Sequence, residues 1–384
     1  MRIAVIGQGY VGFPLAQIAA KSGFNVIGYD NNPNVIKSIN TNEANLELTD
    51  NMDLLVNCDV YVIAVPTPLD DEGRPDLSYV IEASKIISKY ANSGSLVVNE
   101  STSFPGTLRE IIAPIIDRSA SKILFAAAPE RIDPLNKNWN LSNTTRVIGG
   151  LTKEATDKAV KVYSSFCTDI FTVKTPEIAE SAKLLENTFR QVNIAFINQF
   201  AQIMDKFEIP VYDVIEAAAT KPFGFMKFSP GLGVGGHCIP IDPIYLAEKA
   251  ESVGAPTTLI RSADLINNSM PKYVLEKAKE LLGGTISGKK VCIVGLSYKS
   301  DISDLRSSPS IALWDELSNA GAEIYYHDVF HSSFRGRNSA DLVNLKFDLA
   351  IVATRHSGLN TNQLFSSTEL VLDCTGSIVG AHGI

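Results

Sequence analysis

The first thirty residues place a short apolar run, a glycine-rich turn, a helical pattern and a second apolar run in that order. "RIAVIG" predicts a buried strand, "VGFPLAQIAAKSG" a helix and "NVIGYD" a second strand. Further strands are predicted at "DVYVIAV", "SLVVNE", "KILFAAA" and "RVIGG", with helices such as "LSYVIEASKIISKYA" between them. Strands that alternate with helices in this way predict a doubly wound parallel sheet that helices cover on both faces.

The pattern changes twice along the rest of the chain. "PEIAESAKLLENTFRQVNIAFINQFAQIMDKF" has apolar residues at helical spacing and no internal Gly or Pro, so it predicts one long helix or a broken pair. "GKKVCIVGLSY" then starts a second strand–turn–helix pattern, which continues through "AEIYYHD", "FDLAIVAT" and "ELVLDCTG". We therefore predict two Rossmann-like α/β domains, residues 1–175 and 281–384, joined by a central helical domain, residues 176–280.

Composition and charge exclude several classes of partner. The chain has 384 residues, 45% of them hydrophobic and 20% charged, which is typical of a soluble globular protein. Its net charge of −8 argues against broad binding to nucleic acid or to an anionic membrane. No apolar run approaches the roughly 20 residues that span a bilayer, and the N-terminus lacks a signal-peptide pattern. The five cysteines show no Cys-x-x-Cys spacing, so we expect a reduced, cytoplasmic protein without disulfides or a metal site.

The first glycine turn has the spacing of a dinucleotide site. In "IAVIGQGYVGFPLA", Gly7 permits a tight turn, Gly9 lets the backbone approach a pyrophosphate, and Gly12 lets the helix pack close to the strand. Asp30 ends the second strand, where a carboxylate accepts hydrogen bonds from ribose hydroxyls and repels a 2′-phosphate. The turn therefore favours NAD over NADP, and the alternative is a purely structural βαβ turn.

The loop "SPGLGVGGHCIPIDP", residues 229–243, places Cys238 among four glycines and three prolines. On one interpretation the thiol is a small apolar filler. On the other, the glycines clear space so that a substrate carbon reaches the sulfur. An aldehyde gives up a hydride readily only after a nucleophile has made its carbon tetrahedral, and a thiolate is suited to that addition. NAD together with an accessible thiol therefore suggests a four-electron dehydrogenase.

A set of motifs in a fixed order resembles the UDP-glucose/GDP-mannose dehydrogenase family over nearly the whole chain. The motifs are "GQGYVG", "AVPTP", "ESTSFPGT", "PERIDP", "AKLLENTFRQVNIAFINQFA", "PGLGVGGHCIPIDP" and "GLSYKSDISDLRSSP". The resemblance implies oxidation of C6 of a nucleotide sugar to a carboxylate with two NAD in succession. It also implies UDP-sugar binding by the C-terminal domain and a homodimer built on the central helices.

The same resemblance implies three groups of site residues. The catalytic group is Thr102, Glu130, Lys183, Asn187, Cys238 and Asp242. The cofactor-binding group is Gly7, Gly9, Tyr10, Val11, Gly12, Asp30, Thr67, Thr102 and Arg306. The substrate-binding group is Glu130, Arg131, Lys183, Lys227, Phe228, Gly231, Gly235 and Lys299.

Within the catalytic group, Cys238 would be the covalent nucleophile. Lys183 and Asn187 lie four residues apart, on one helix face, and would hold the oxyanion. Thr102 and Asp242 would position or activate the water that cleaves the thioester. Whether Glu130 or Asp242 activates this water stays open.

Details of the cysteine loop bear on the substrate. "CIPIDP" has Ile241 where UDP-glucose dehydrogenases typically carry a lysine, and with His237 and the upstream "TKPFGFMKFSPG" it resembles the branch that acts on UDP-N-acetylhexosamines. UDP-N-acetylglucosamine or UDP-N-acetylmannosamine is therefore favoured over UDP-glucose, and "GHCIPIDP" leans towards the gluco form. Lys227 stands where a proline is common in this branch. The C-terminal "LDCTGSIVGAHGI" departs from the family pattern because no arginine follows Asp373.

The remaining cysteines and histidines are expected to be structural. His237 and Cys238 are adjacent in a loop predicted to be extended, where neighbouring side chains point apart, so we do not expect a Cys–His pair. Core positions are expected for Cys58, Cys167, Cys292 and Cys374. No metal-ligand spacing is present among His327, His331 and His356.

Two rival functions share parts of this pattern. A two-electron β-hydroxyacid dehydrogenase has a similar NAD domain and helical region, but needs neither a thiol loop nor a second α/β domain. A non-enzymatic nucleotide-sugar sensor would keep the fold alone. The candidate side chains argue against a sensor, and the choice depends on them because the fold does not decide function.

Overall fold

The computed structural model describes residues 1–117, 122–132, 136 and 138–384. Asp133 and Pro134, the end of the "PERIDP" motif, lie outside the described residues. The chain forms two compact units, of which the first comprises residues 1–186 and 244–255 and the second residues 187–243 and 256–384. Each unit has its own sheet, which is mainly parallel in the first unit and parallel in the second.

An eight-stranded sheet forms the core of the first unit. Its strands are β1 (Arg2–Ile6), β2 (Asn25–Tyr29), β3 (Leu46–Thr49), β4 (Val60–Ile63), β5 (Leu96–Asn99), β6 (Leu124–Ala127), β7 (Arg146–Gly150) and β8 (Ile170–Thr172). The order across the sheet is β3-β2-β1-β4-β5-β6-β7-β8. The strands from β3 to β6 are parallel, as predicted, but β7 pairs antiparallel with β6. β3 and β8 were not predicted, because each is short and only partly buried.

Helices cover both faces of this sheet. They are α1 (Gly12–Lys21), α2 (Pro33–Ser38), α3 (Ser78–Tyr90), α4 (Ala113–Ile116) and α5 (Lys153–Tyr163), with a 3₁₀ turn at Met52–Leu55 and a π-helical turn at Leu108–Ile112. Successive strand side chains point to opposite faces. Ile3 and Val5 of β1 therefore join one apolar core, and Ala4 and Ile6 join the other. The doubly wound architecture is confirmed.

The central region is helical. The predicted long helix is one unbroken element, α6 (Pro176–Lys206), 31 residues long. It is followed by α7 (Val211–Ala219), α8 (Asp242–Ser252) and α9 (Thr258–Leu281), which contains Pro271 in its interior. No helix in the described ranges is long and apolar enough to cross a membrane.

The second unit contains the other predicted α/β region. Its elements are β9 (Lys290–Val294), α10 (Pro309–Asn319), β10 (Glu323–His327), β11 (Ser333–Phe334), β12 (Arg337–Asn338), β13 (Leu349–Val352), α11 (Thr361–Ser367), β14 (Val371–Asp373) and β15 (His382–Gly383). The parallel sheet has the order β10-β9-β13-β14-β15, and β11 and β12 form a separate antiparallel pair. The fold class predicted from the sequence is thereby confirmed.

In both sheets, an aspartate after the second strand accepts a hydrogen bond from a backbone N–H in the turn after the first strand. In the first, the N–H of Gln8 donates to Oδ2 of Asp30 (2.9 Å). In the second, the N–H of Leu296 donates to Oδ2 of Asp328 (2.7 Å). This repeated turn supports the view that the outer α/β regions share one architecture.

Asp328 differs from Asp30 in that it is sealed inside the protein. Its side chain is almost fully buried, and its Oδ1 accepts hydrogen bonds from the N–H groups of Phe330 (2.7 Å) and His331 (3.1 Å). Burial acts to raise the pKa of Asp328, but the interaction with His356 and the N–H donors outweigh burial and lower the pKa from 3.8 to about 2. The carboxylate therefore contributes stability that is present above pH 3.8 and is lost as the pH falls towards 2.

We predict that Asp328→Asn lowers the free energy of unfolding by about 2 kcal/mol at pH 7, because the amide loses the charged acceptor. The deficit should shrink as the pH falls from 4 towards 2, where the wild type loses the same contribution. Urea unfolding at several pH values measures this effect. Asp348→Asn, at a more exposed carboxylate that also accepts a backbone N–H, is the control. Equal, pH-independent losses in the two variants would contradict the prediction.

Candidate active site

Four loops of the first unit meet at one edge of its sheet. They follow β1, β4, β5 and β6, and they carry the glycine turn, Thr67, Thr102 and Glu130 respectively. Because these strands are parallel neighbours, their carboxyl ends share an edge. The order of the strands reverses between β1 and β4, and ligands of open α/β sheets bind at such a switch point. The structure thus brings the predicted cofactor residues of this unit together.

The glycines of the first turn have different roles. A Cβ added to Gly12 would lie 1.8 Å from the carbonyl oxygen of Gly7, so helix α1 packs against the turn only with glycine there. A Cβ added to Gly9 would have no described heavy atom within 4 Å, so this backbone faces open space. Val11, the N-cap of α1, makes no side-chain cap hydrogen bond, and Tyr10 is exposed. The turn therefore leaves room and N–H donors for a pyrophosphate.

Asp30 is held in a fixed orientation at the end of β2. Its Oδ2 accepts from the N–H of Gln8 and its Oδ1 from the N–H of Asn32, each at 2.9 Å. Each carboxylate oxygen retains a further lone pair for a ribose hydroxyl. The residues present therefore fit NAD, and the fixed negative charge disfavours the 2′-phosphate of NADP.

A buried serine ties the Thr67 and Thr102 loops together. Oγ of Ser101 accepts from the N–H of Val65 (2.9 Å) and donates to the carbonyl of the same residue (2.8 Å). Asn99, fully buried, donates to the carbonyl of Ser101 (3.2 Å). Thr67 is buried and Thr102 is half-buried, so both lie on loops that the protein itself orders.

Glu180 is a site-supporting residue that sequence reasoning missed. It lies on α6, three residues before Lys183, and both side chains are buried. Its carboxylate accepts from the N–H groups of Gly106 (2.7 Å) and Leu108 (3.0 Å), just after the Thr102 loop. Burial raises the pKa of Glu180 to about 7. The sequence signal that could have identified Glu180 is an acidic residue at a position of the helix that otherwise carries apolar residues.

Glu130 belongs to a buried charge network. Both of its carboxylate oxygens lie 2.7 Å from the N–H of Ile132, and its Oε1 lies 3.9 Å from Nη2 of Arg146. Nη1 of Arg146 lies 3.2 Å from Oε2 of Glu100, and the Tyr163 hydroxyl donates to Oε1 of the same carboxylate. Burial raises the pKa of Glu100. Glu130 is therefore fixed by its own unit.

Arg131 contacts the helix that carries Lys183. Its Nη2 lies 2.6 Å from Oε1 of Glu186, and its Nη1 donates to the carbonyl of Thr145 (2.8 Å). These contacts hold the loop after β6 against the start of α6. Arg131 is thus engaged within the first unit.

The second unit carries the cysteine loop. Of the five cysteines, all of which the structure describes, Cys238 alone is exposed. The other four are buried, as predicted, and burial raises the pKa of each thiol, to about 11 for Cys58. Cys238 is therefore the thiol that a solute can reach.

Three glycines of this loop are required by the protein itself, so the view that the glycines clear space for substrate is wrong at these positions. A Cβ on Gly235 or Gly236 would lie 2.6 Å or 2.7 Å from the Tyr298 side chain, and a Cβ on Gly233 would lie 2.7 Å from the carbonyl oxygen of Asn267. At Gly231 the nearest described atom outside the adjacent residues would be 3.7 Å away. Among these four glycines, only Gly231 has space for a Cβ at an ordinary van der Waals distance.

The loop ends at a buried amide–carboxylate contact. Nδ2 of Asn187 donates to Oδ2 of Asp242 (2.5 Å), and both side chains are buried. The N–H of Asp242 donates to the carbonyl of Cys238 (2.9 Å), which closes the turn that begins α8. The structure therefore brings together three predicted catalytic residues of this unit.

His237 does not supply a positive charge to the thiol. Burial, together with nearby Arg306, lowers the pKa of His237, so the imidazole is neutral at pH 7. The expectation that His237 and Cys238 do not pair stays a prediction.

Several predicted binding residues of the second unit are engaged in local contacts. Nη2 of Arg306 lies 2.6 Å from Oδ2 of Asp304, and Lys227 pairs with Glu216. The Phe228 ring packs edge-on against another ring of its unit, and Lys299 is half-buried. To bind a ligand with its charged group, Arg306 would have to break its ion pair with Asp304, and Lys227 its ion pair with Glu216.

Models of one family match three consecutive segments of the chain. The NAD binding domain of the UDP-glucose/GDP-mannose dehydrogenase family matches residues 1–167, its central domain 177–269 and its UDP binding domain 292–379. The chain belongs to the UDP-glucose/GDP-mannose dehydrogenase family. The predicted family and the predicted NAD cofactor are confirmed, and the protein is an NAD-dependent nucleotide-sugar dehydrogenase.

Individual members of the family are similar over most of their length. UDP-N-acetyl-D-mannosamine dehydrogenase of Methanocaldococcus jannaschii is 36% identical, over 92% of this chain and 86% of its own. UDP-N-acetyl-D-glucosamine 6-dehydrogenase of Pseudomonas aeruginosa is 34% identical, over 86% and 82%. The solved UDP-D-ManNAc dehydrogenase of Pyrococcus horikoshii superposes with a TM-score of 0.89 at 33% identity, covering 100% of this chain and 99% of that one.

We predict that Gly9→Ala and Gly12→Ala separate cofactor binding from folding. Gly9→Ala should leave the melting temperature unchanged but raise the NAD dissociation constant about tenfold, because the methyl group stands where the pyrophosphate approaches. Gly12→Ala should lower the melting temperature or prevent folding, because its Cβ meets the Gly7 carbonyl. Calorimetric titration and thermal unfolding measure the two effects. Unchanged NAD affinity in the Gly9 variant would contradict this assignment.

Proposed function

We propose that this dehydrogenase oxidises C6 of a UDP-N-acetylhexosamine, UDP-N-acetylglucosamine or UDP-N-acetylmannosamine, to the uronic acid in two successive two-electron steps. The observation that carries the proposal is one exposed thiol on a loop closed by the buried Asn187–Asp242 contact. The names of the similar dehydrogenases and the "CIPIDP" form of the loop support the N-acetylated substrate class. The product would feed polysaccharide or glycan assembly.

The second oxidation requires a covalent step. The glycine turn and Asp30 would hold NAD, which when bound would supply the hydride acceptor for each oxidation at C6. The Cys238 thiolate adds to the aldehyde carbon, and a C–S bond and an alkoxide form. Loss of hydride from this carbon leaves a thioester. Water then attacks the thioester, the C–S bond breaks, and the acid and the free thiol are released.

Charge develops on the sugar oxygen during these steps. We assign Lys183 and Asn187 to stabilise it, because an ammonium and an amide N–H are suitable oxyanion donors. Asn187 uses one amide hydrogen on Asp242, which orients the side chain and leaves its other hydrogen for the oxyanion. Thr102, on the ordered loop after β5, would help to position the water.

We assign activation of the water to Asp242 rather than Glu130. Asp242 lies in the turn that contains Cys238 and is in contact with Asn187. Glu130 is instead held by the Ile132 N–H and lies near Arg146, both in the first unit, so its carboxylate is oriented by that unit and not by the cysteine loop. In this proposal Glu130 and Arg131 contact the sugar nucleotide, as do Lys227, Phe228, Gly231, Gly235 and Lys299.

We further infer a homodimer. The second unit exposes apolar side chains along α6 at heptad-like spacing, which is typical of helix–helix packing. Phe189, Phe196 and Ile203 are 45%, 61% and 45% exposed, and Phe207, the residue after the end of α6, is 64% exposed. A second copy of the same helix would bury them.

We also propose three domains, residues 1–175, 176–280 and 281–384, in a cytoplasmic protein that binds no nucleic acid. The segments matched by the family models support these boundaries. The net charge of −8 supports the absence of nucleic-acid binding.

The stoichiometry of NADH tests the reaction. With a panel of UDP-sugars, we predict two NADH per sugar from an N-acetylated substrate and slower turnover of UDP-glucose. One NADH per sugar would indicate an aldehyde-forming or β-hydroxyacid type of enzyme. Cys238→Ala should abolish acid formation while the NAD dissociation constant stays unchanged. Ser229→Ala, at an exposed position of the same loop, is the control. Normal uronate production by the Cys238 variant would rule out sulfur as the nucleophile.

Sedimentation tests the dimer. The 41.6 kDa chain should sediment at twice its mass, and Phe196→Glu should convert it to monomer because a charge would be buried in the interface. Val379→Glu, at a residue 94% exposed, should remain dimeric. A wild-type monomer at micromolar concentration would contradict the inference.

A further inference from the structure

Two buried asparagines connect the cysteine loop to the helices of the second unit. Oδ1 of Asn198, on α6, accepts from the N–H of Gly231 (2.9 Å). Nδ2 of Asn198 donates to Oδ1 of Asn267 on α9 (3.0 Å), and Nδ2 of Asn267 donates to the carbonyl of Gln191 (3.1 Å). Asn198 is 0% exposed and Asn267 is 1% exposed. The hydrogen bonds therefore run in one direction from the loop through both amides to the backbone of α6.

The backbone of Asn267 meets the same loop. Proline has no N–H, so Pro271 cannot donate to the carbonyl four residues before it, which is that of Asn267. A Cβ on Gly233 would lie 2.7 Å from this carbonyl oxygen. Asn267 is thus connected to the loop in two ways. Its side chain reaches Gly231 through Asn198, and its carbonyl, which lacks the usual helical donor, lies beside Gly233.

The other side of the loop is held by the segment after β9. The N–H of Gly236 donates to the carbonyl of Arg306 (3.0 Å), and Gly235 and Gly236 lie against Tyr298. The loop is therefore fixed at Gly231 by the amides and at Gly236 by this segment, and Cys238 follows two residues later. Loss of the amide contact would release one of these two attachments.

We propose that Asn198 and Asn267 are positioning residues that set the place of the Cys238 loop through the relay from Gly231 to α6. The proposal depends on the proposed role of Cys238 for its effect on catalysis, but not for its effect on the loop. Buried amides that lose a partner leave an unsatisfied donor or acceptor, so the pair acts as one unit.

The pH dependence of Asn198→Asp distinguishes positioning from simple packing. A protonated carboxyl reproduces both hydrogen bonds, since its carbonyl accepts from Gly231 and its hydroxyl donates to Asn267. An ionised carboxylate loses the second bond. Burial favours the protonated form, so kcat relative to wild type should rise about tenfold as the pH falls from 8 to 6. Asp264 on α9 accepts from Nε2 of Gln191 (3.4 Å), and burial raises its pKa. Because this acid is present in both proteins, the ratio cancels its effect.

Asn198→Leu is the matched variant that cannot make either bond. Its kcat relative to wild type should be low and independent of pH, with the KM for NAD unchanged. Asn193→Ala, on the same helix, should match the wild type because the Asn193 amide donates to the carbonyl of Phe189 (2.7 Å) in its own helix. A flat pH ratio for Asn198→Asp would overturn the relay, and this test remains if the leucine variant fails to fold.

Hydrogen exchange gives a readout that does not need activity. The peptide of residues 229–238 should exchange about tenfold faster in Asn198→Leu and Asn267→Ala than in wild type, and no faster in the double variant than in the faster single one. Wild-type exchange in all variants would overturn the proposal, even in an active enzyme. If instead Cys238→Ala stays active while the exchange result holds, the proposed nucleophile fails and the positioning of the loop stands.

Discussion

The packing of the cysteine loop against its own unit is the constraint on which the chemistry depends. Glycine is needed at Gly233, Gly235 and Gly236 because the Asn267 carbonyl and the Tyr298 side chain occupy the space of a Cβ. A loop packed this closely has one place in the unit, and it presents the only exposed thiol among the five cysteines. Three of the glycines in this loop are therefore needed for packing. The loop that packs in this way leaves the side chain of Cys238 exposed.

In the first unit, a few polar contacts fix the loops at the edge of the sheet. Its parallel strands end at one edge, and short polar contacts fix the loops there. Ser101 joins the two threonine loops, Glu180 holds the segment after them, and Arg146 holds Glu130. An edge ordered in advance needs little rearrangement when a ligand binds, so binding energy is available for catalysis.

Most strands of the two parallel sheets and the long helix were predictable because each follows from local periodicity. The glycine turn was predictable from the spacing of its glycines. Asp30 and the exposed Cys238 were also identified from the sequence. β3 and β8 were missed because short edge strands carry a weak apolar pattern. β7 was predicted as a strand, but the parallel direction expected for it was wrong, because strand direction depends on distant pairing. The contacts of Asn198 with Asn267, and of Glu180 with Gly106, join residues far apart in sequence, so no local pattern announces them.

The proposed reaction depends on a carbon–sulfur bond between C6 of the sugar and Cys238. Rapid acid quenching during turnover, followed by mass measurement of the peptide that contains Cys238, tests it most directly. We expect a transient adduct with the mass of the acylated sugar nucleotide, and more of it in Asp242→Asn, where hydrolysis is slowed. Acid that accumulates at the normal rate with no adduct on this peptide at any time would contradict the account.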